Sequence, residues 1–153
     1  MFLLHGLKGL HRLQAMVLIR PIRLVFIIQD LETVKRGKSA LKIDNSENQL
    51  TFGFRTIGVK ATPNQKYQVS FYTKNAPPVF SVKINIGHLN GKKSTRDVYL
   101  TNYNKVKGNW YHYNQTVTLN DNEGWLGFIV HLHHSDVFWF DHFKIEAVEP
   151  LDG

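Results

Sequence analysis

"GWLGFIVHLHHSDVFWFDHFKIE", residues 124–146, alternates through much of its first half. Leu126, Phe128, Val130 and Leu132 fall on one parity, and Trp125, His131 and His133 on the other. A period of two marks an extended strand with one dry face and one wet face. The stretch predicts a strand over 125–133, a turn at Ser135-Asp136, and a second strand over 138–147.

The same period recurs upstream. "KYQVSFYTK" sets Tyr67, Val69 and Phe71 against Gln68, Ser70 and Tyr72. "VFSVKINIGH" sets Phe80, Val82, Ile84 and Ile86 against Ser81, Lys83 and Asn85. "QLTFGFR" sets Leu50, Phe52 and Phe54 against Thr51, Gly53 and Arg55, and "WYHYNQTVTL" sets Tyr111, Tyr113, Val117 and Leu119 against His112, Asn114 and Thr116. Turn chemistry separates the runs at Pro63-Asn64, Pro77-Pro78, Asn90-Gly91 and Asp121–Gly124. About eight strands result: 40–44, 49–59, 66–74, 79–88, 97–101, 110–119, 125–133 and 138–147. No helix longer than two turns is visible, so the fold class is all-β, an antiparallel β-sandwich or barrel.

At 153 residues the chain suits one domain. Charged residues are 20% and aromatics 12%, a globular mixture. The absence of cysteine leaves the compartment open. The net charge of +7 is uneven. Residues 1–38 hold seven basic and two acidic residues; residues 39–153 hold 12 basic and 10 acidic. A nucleic-acid domain would be basic on its folded face, so the nearly balanced remainder speaks against nucleic acid as a partner. The leader, 1–34, has three readings: a targeting segment, a first strand "LVFIIQD", or a mis-bounded stretch outside the domain. Its apolar run Leu24–Ile28 is too short for a membrane span, which needs about 20 residues. The domain proper is 35–149 and the tail 150–153.

Four pieces stand in order along 35–149: "VKRGKSALKI", "VKATPNQKYQVSFYTK", "GNWYHYNQTVTL" and the closing "FWFDHFKIE". In that order they resemble the jelly-roll carbohydrate-binding modules of families four, nine and twenty-two, within the galactose-binding-like group. "SALKI" and "YQVSFYTK" are also similar to the accessory sandwich of family fifty-one α-L-arabinofuranosidases. The resemblance implies a jelly roll, an extracellular or secreted setting, and a polysaccharide ligand such as xylan, arabinan or β-glucan. It also implies a structural calcium ion, with Asp141 matching one half of its site; the Asn-Gly-x-Phe-Glu-like strand of the other half is missing here. No other cofactor is expected.

A jelly roll of eight strands pairs them 1-8-3-6 and 2-7-4-5. The second sheet then turns Thr51, Arg55, Ser81, Lys83, Asn85, Asp97, Tyr99, Trp125, His131 and His133 to one face. Of these, Arg55, Lys83, Asn85, Asp97, Tyr99, Trp125, His131 and His133 are the expected saccharide contacts. Aromatic rings cover the C–H face of a sugar, and amide, imidazole, guanidinium and carboxylate groups satisfy its hydroxyls. Trp110 and Trp139 read as packing residues. His131 and His133 share a face as two metal ligands would, but no third ligand stands at a fixed spacing. There is no Gly-x-Ser-x-Gly elbow and no evident pair of carboxylates across a cleft. The acids fall mostly in turns, Asp121, Glu123 and Asp136 among them. The chain reads as a non-catalytic module that holds an attached or partner glycoside hydrolase on its polymer. The alternatives are an accessory sandwich without a ligand, and a nucleic-acid or membrane-surface protein acting through the basic leader.

Overall fold

The computed structural model describes residues 2–4, 14–19, 23–30, 33, 35–37, 40–46, 52–56, 58–75 and 79–149. Among them every regular element is a strand. The strands are β1 (Phe2–Leu4), β2 (Gln14–Ile19), β3 (Arg23–Asp30), β4 (Ala40–Asp44), β5 (Phe52–Thr56), β6 (Val59–Lys60) and β7 (Lys66–Thr73). They continue with β8 (Phe80–His88), β9 (Ser94–Tyr99), β10 (Tyr103–Val106), β11 (Trp110–Thr118), β12 (Glu123–Leu132) and β13 (Val137–Ala147). One sheet runs β1-β5-β12-β8-β9, with β6 also on β12; the other runs β10-β11-β7-β13-β4-β3-β2. All pairs are antiparallel except β1 with β5. At the centre of each sheet lie the 2-7-4-5 and 1-8-3-6 orders of a jelly roll.

The alternation explains why the sheets stack. β12 turns Leu126, Phe128, Val130 and Leu132 inward, all buried, and β8 matches them with Val82, Ile84 and Ile86. The facing sheet contributes Val69, Phe71, Tyr113, Val117, Phe138 and Phe140. Phe71 is the hub. Its ring stacks on Tyr113 at 4.7 Å and Phe143 at 5.2 Å, and meets Phe128 of the opposite sheet edge-on at 6.2 Å. Trp110 joins Ala40 and Tyr72 in a small cluster outside this core, with Trp139 packed on it, so both tryptophans are packing residues.

The structure departs from the sequence reading at four places. The strand expected over 49–59 is two pieces: β5 pairs with the end of β12, and β6 with its start, opposite Trp125 and Leu126. β10 was unforeseen; its four residues are mostly exposed and show no alternation. Glu123 closes the turn at 120–123 and also heads β12, fully buried, with its carboxylate ion-paired to Arg96 at 3.0 Å. The fourth is at β13, where inward parity switches from Phe138 and Phe140 to Phe143 and Ile145. A bulge between Asp141 and Lys144 inserts the extra residue, and His142 takes a left-handed φ of 53°. Of the three readings of the leader, the strand over 24–30 is present as β3; β2 extends its sheet further, and β1 edges the other sheet.

Phe71→Ala removes a fully buried ring that touches both sheets. It should destabilise the protein by about 3–5 kcal/mol, read as a lower midpoint in denaturant unfolding with the slope unchanged.

Candidate functional site

Strand registry alone assembles the outer face of the β5-β12-β8-β9 sheet. One row across it reads Tyr99, Lys83, Ile129 and Arg55. The next reads Asp97, Asn85 and Gly127. A third sets Gly87 opposite Trp125 and Trp125 opposite Lys60, and a fourth sets Ser81 opposite His131 and His131 opposite Gly53. Arg55, Lys83, Asn85, Asp97, Tyr99, Trp125 and His131 therefore share one face, where the period of two put them. His133 lies just past the end of β12 and joins through Nε2, 3.0 Å from Ser81 Oγ. Thr51 lies outside the described residues.

The centre of the face is a hydrogen-bonded frame. Asp97 accepts from Lys83 Nζ at 2.8 Å and from Asn85 Nδ2 at 2.7 Å. Asn85 also exchanges hydrogen bonds with Ser94 Oγ at 3.1 and 3.2 Å. Lys83 Nζ stands 5.9 Å from the centre of the Tyr99 ring. The pairing raises the Lys83 pKa, chiefly through the Asp97 hydrogen bond. Burial opposes the Asp97 charge, yet its bonds to Lys83 and Asn85 prevail and hold its pKa below the usual value. The His131 pKa is lowered, first by burial and then by the Lys83 and His133 charges.

Trp125 lies flat on the sheet. A Cβ at Gly87 would sit 1.6 Å from its Cε2, and one at Gly58 would sit 3.2 Å from its Cε3. Only a residue without a side chain fits at Gly87, so the indole rests on backbone. Its Nε1 is buried and has no hydrogen-bond partner. Around it a trough of about 650 Å³ runs between β5, β12 and the 89–94 hairpin, lined among others by Arg55, Lys60, Asn85, Lys92, Lys93 and Trp125. That volume is within the roughly 300–1,000 Å³ of small-ligand sites. Ile129, 8% exposed, forms part of the floor. The sequence reading missed Gly87, Gly58, Lys60, Lys92 and Lys93. Gly87 was within reach of it: it shares the outward parity of Ser81, Lys83 and Asn85, and nothing else on that parity of β8 is small enough to seat a ring.

Asp141 lies on the opposite sheet. Its Oδ2 accepts the backbone N–H groups of Lys35 and Arg36 at 2.8 and 2.7 Å, pinning the 35–37 turn to β13. Among the described residues no three His, Cys, Asp or Glu side chains gather to hold a metal. Both described contacts of Asp141 are N–H donors to Oδ2, which a carboxylate accepts without a metal.

A family model described as "Carbohydrate binding domain" matches residues 29–136. The fold is similar to that of the CBM22-1 xylan-binding domain of Xyn10C from Paenibacillus barcinonensis, with 15% identity, a TM-score of 0.51, and 82% of this chain and 83% of that one covered. It is also similar to a Family 16 Carbohydrate Binding Module-2, with 18% identity, a TM-score of 0.52, and 80% and 85% covered. A third is a xylan-binding domain from CBM 22, with 11% identity, a TM-score of 0.51, and 80% and 82% covered. No curated protein sequence matches the chain.

The shifts set the acid stability. The pKa values of His131 and His112 are both lowered, mainly by burial, so the stability that their neutral forms contribute is present above the unfolded value of 6.5 and is lost as pH falls through the folded values. Asp97 and Glu123 are also lowered, from 3.8 and 4.5, so their contributions are lost further down, through their folded values. Melting temperature against pH should therefore fall in two stages, one below about 6.5 and one below about 4.5. His131→Asn and His112→Asn together should flatten the first stage and leave the second.

Proposed function

The chain belongs to this family of carbohydrate-binding domains, and from that premise we propose that the face around Trp125 is its saccharide site, one that binds without catalysis. The supporting observation is the indole laid flat between Gly87 and Gly58 beside the Asn85–Asp97–Lys83 frame. A pyranose or furanose ring stacked on the indole buries its C–H face, an apolar contact of the kind that aromatic rings favour. The rim hydroxyls then meet groups of both polarities: Asn85 and Ser94 donate and accept, Tyr99 and Arg55 donate, and Asp97 accepts. These groups stand on strands, so a glycan meets them already in place and little side-chain entropy is lost on binding.

The ligand is a polysaccharide such as xylan, arabinan or β-glucan, and the setting is extracellular. The module holds an attached or partner glycoside hydrolase at its polymer, raising the local concentration of enzyme there. One carboxylate, Asp97, stands on this sheet face among the described residues, beside the trough, and it is paired with Lys83. Hydrolysis of a glycosidic bond uses two across a cleft. Asp141 serves as a structural acid that fastens the 35–37 turn, without a metal.

Gels containing xylan, arabinan or β-glucan should retard the protein in at least one case. Trp125→Ala and Tyr99→Ala should each remove most of the retardation while leaving the melting temperature within a few degrees. Absence of retardation in all polymers would return the chain to the accessory-sandwich reading. A chelator should leave the melting temperature unchanged, whereas Asp141→Ala should lower stability by about 2–4 kcal/mol, as two charge-assisted, partly buried hydrogen bonds are lost.

A further inference from the structure

The 12 basic and 10 acidic residues of 39–153 nearly cancel in number, but they do not cancel in space. Arg55, Lys60, Lys92 and Lys93 line the trough, and Lys83 borders it. Against these five cations stands one described carboxylate, Asp97, already bonded to Lys83 at 2.8 Å. The other ion pairs among the described residues, Arg96–Glu123 and Lys144–Glu146, lie away from this face. Four trough cations are thus left without a carboxylate partner among the described residues.

Their placement relative to Trp125 is specific. Lys60 lies directly opposite Trp125 on the β6 side. On the β8 side, Trp125 is opposite Gly87, and the hairpin beyond it holds Lys92 and Lys93. That hairpin is fixed by the His88 N–H to Lys93 carbonyl bond at 2.8 Å, the Lys92 N–H to Asn90 Oδ1 bond at 3.0 Å, and Gly91 at a φ of 71°. Leu89 packs against Gly124, beside the indole. Positive charge therefore flanks the stacking surface on both sides. A cleft lined by one sign of charge focuses its field and concentrates counter-ions.

We propose that the trough selects anionic glycans, polysaccharides whose sugars carry uronate carboxylates or sulfate esters. The inference rests on the saccharide reading above and adds to it the class of polymer. A ring stacked on Trp125 turns its substituents outward along the ring plane, toward Lys60 on one side and the 92–93 hairpin on the other. An anionic substituent there gains a partner that a hydroxyl does not. The depressed His131 pKa, to which Lys83 and His133 contribute after burial, is a second mark of the same positive field.

The test is calorimetry on the full chain with matched pairs of polymers at low and high salt. Glucuronoxylan and polygalacturonate are each set beside their carboxyl-reduced forms, and dextran sulfate beside dextran. The anionic member of at least one pair should bind about tenfold more tightly at low salt, and the advantage should shrink at high salt. The pair that responds tells uronate from sulfate. Lys60→Gln/Lys92→Gln/Lys93→Gln should erase the advantage with the neutral member's affinity kept, and Trp125→Ala should weaken both. Equal affinity within every pair overturns the proposal while leaving the saccharide reading intact. So does an anionic preference that survives when Arg55→Gln is added to the triple substitution, which would place it outside the trough. No binding to any polymer removes both.

Discussion

A strand has two faces and no third, so the register of β12 on β8 decides together what is buried and what meets solvent. With Leu126 opposite Ile86, Phe128 opposite Ile84 and Val130 opposite Val82, the aliphatic and aromatic pairs close one side completely. The intervening positions then have to line up Trp125 with Gly87, Gly127 with Asn85, Ile129 with Lys83 and His131 with Ser81. A slip of one residue would bury Lys83 and His131 and expose Phe128, a cost no outer-face interaction offsets. The outer face is thus a by-product of a register that the core enforces, and this is what holds its residues in position.

Within that register the outer face is divided between a fixed frame and a free rim. Lys83, Asp97, Asn85 and Ser94 satisfy one another, and the satisfied network holds each rotamer. Trp125 is held differently, by shape: the missing side chains at Gly87 and Gly58 let it lie on backbone, where an upright indole would present an edge. The cations of Lys60 and the 92–93 hairpin belong to neither arrangement. They are exposed, as charged residues on a loop and a two-residue strand ordinarily are.

Much of this was legible in the sequence because a period of two states which side chains point together. The 2-7-4-5 order and the shared face of Arg55, Lys83, Asn85, Asp97, Tyr99, Trp125 and His131 follow from that period and the jelly-roll resemblance. What parity cannot state is distance along the third dimension. That Gly87 touches Trp125 depends on β8 and β12 being neighbours 38 residues apart in sequence. The gathering of Arg55, Lys60, Lys92 and Lys93 joins three separate segments of a stretch, 39–153, whose total charge nearly cancels. The bulge at Asp141–Lys144 was readable in principle, since Phe138, Phe140, Phe143 and Ile145 can share a face only if one residue is extra. Glu123 was read only as a turn residue because a carboxylate after Asp121-Asn122 looks like turn chemistry. Its burial depends on Arg96, Thr95 and the Asn120 amide, none of them adjacent to it in sequence.

The two kinds of contact proposed around Trp125 differ in what they can discriminate. Stacking buries the C–H face of a ring, and every pyranose or furanose offers one, so the contact adds affinity with little regard to which sugar is present. It is also indifferent to salt. The flanking ammonium groups act only on charge, and over distances comparable with the screening length of about 8–10 Å near physiological salt. Affinity and choice are therefore separable on this face. Screening weakens the choice first and leaves the stacked ring in place, because what holds the ring is area removed from water. The order follows from geometry: the indole is seated against the sheet, whereas the cations stand at its margins in solvent.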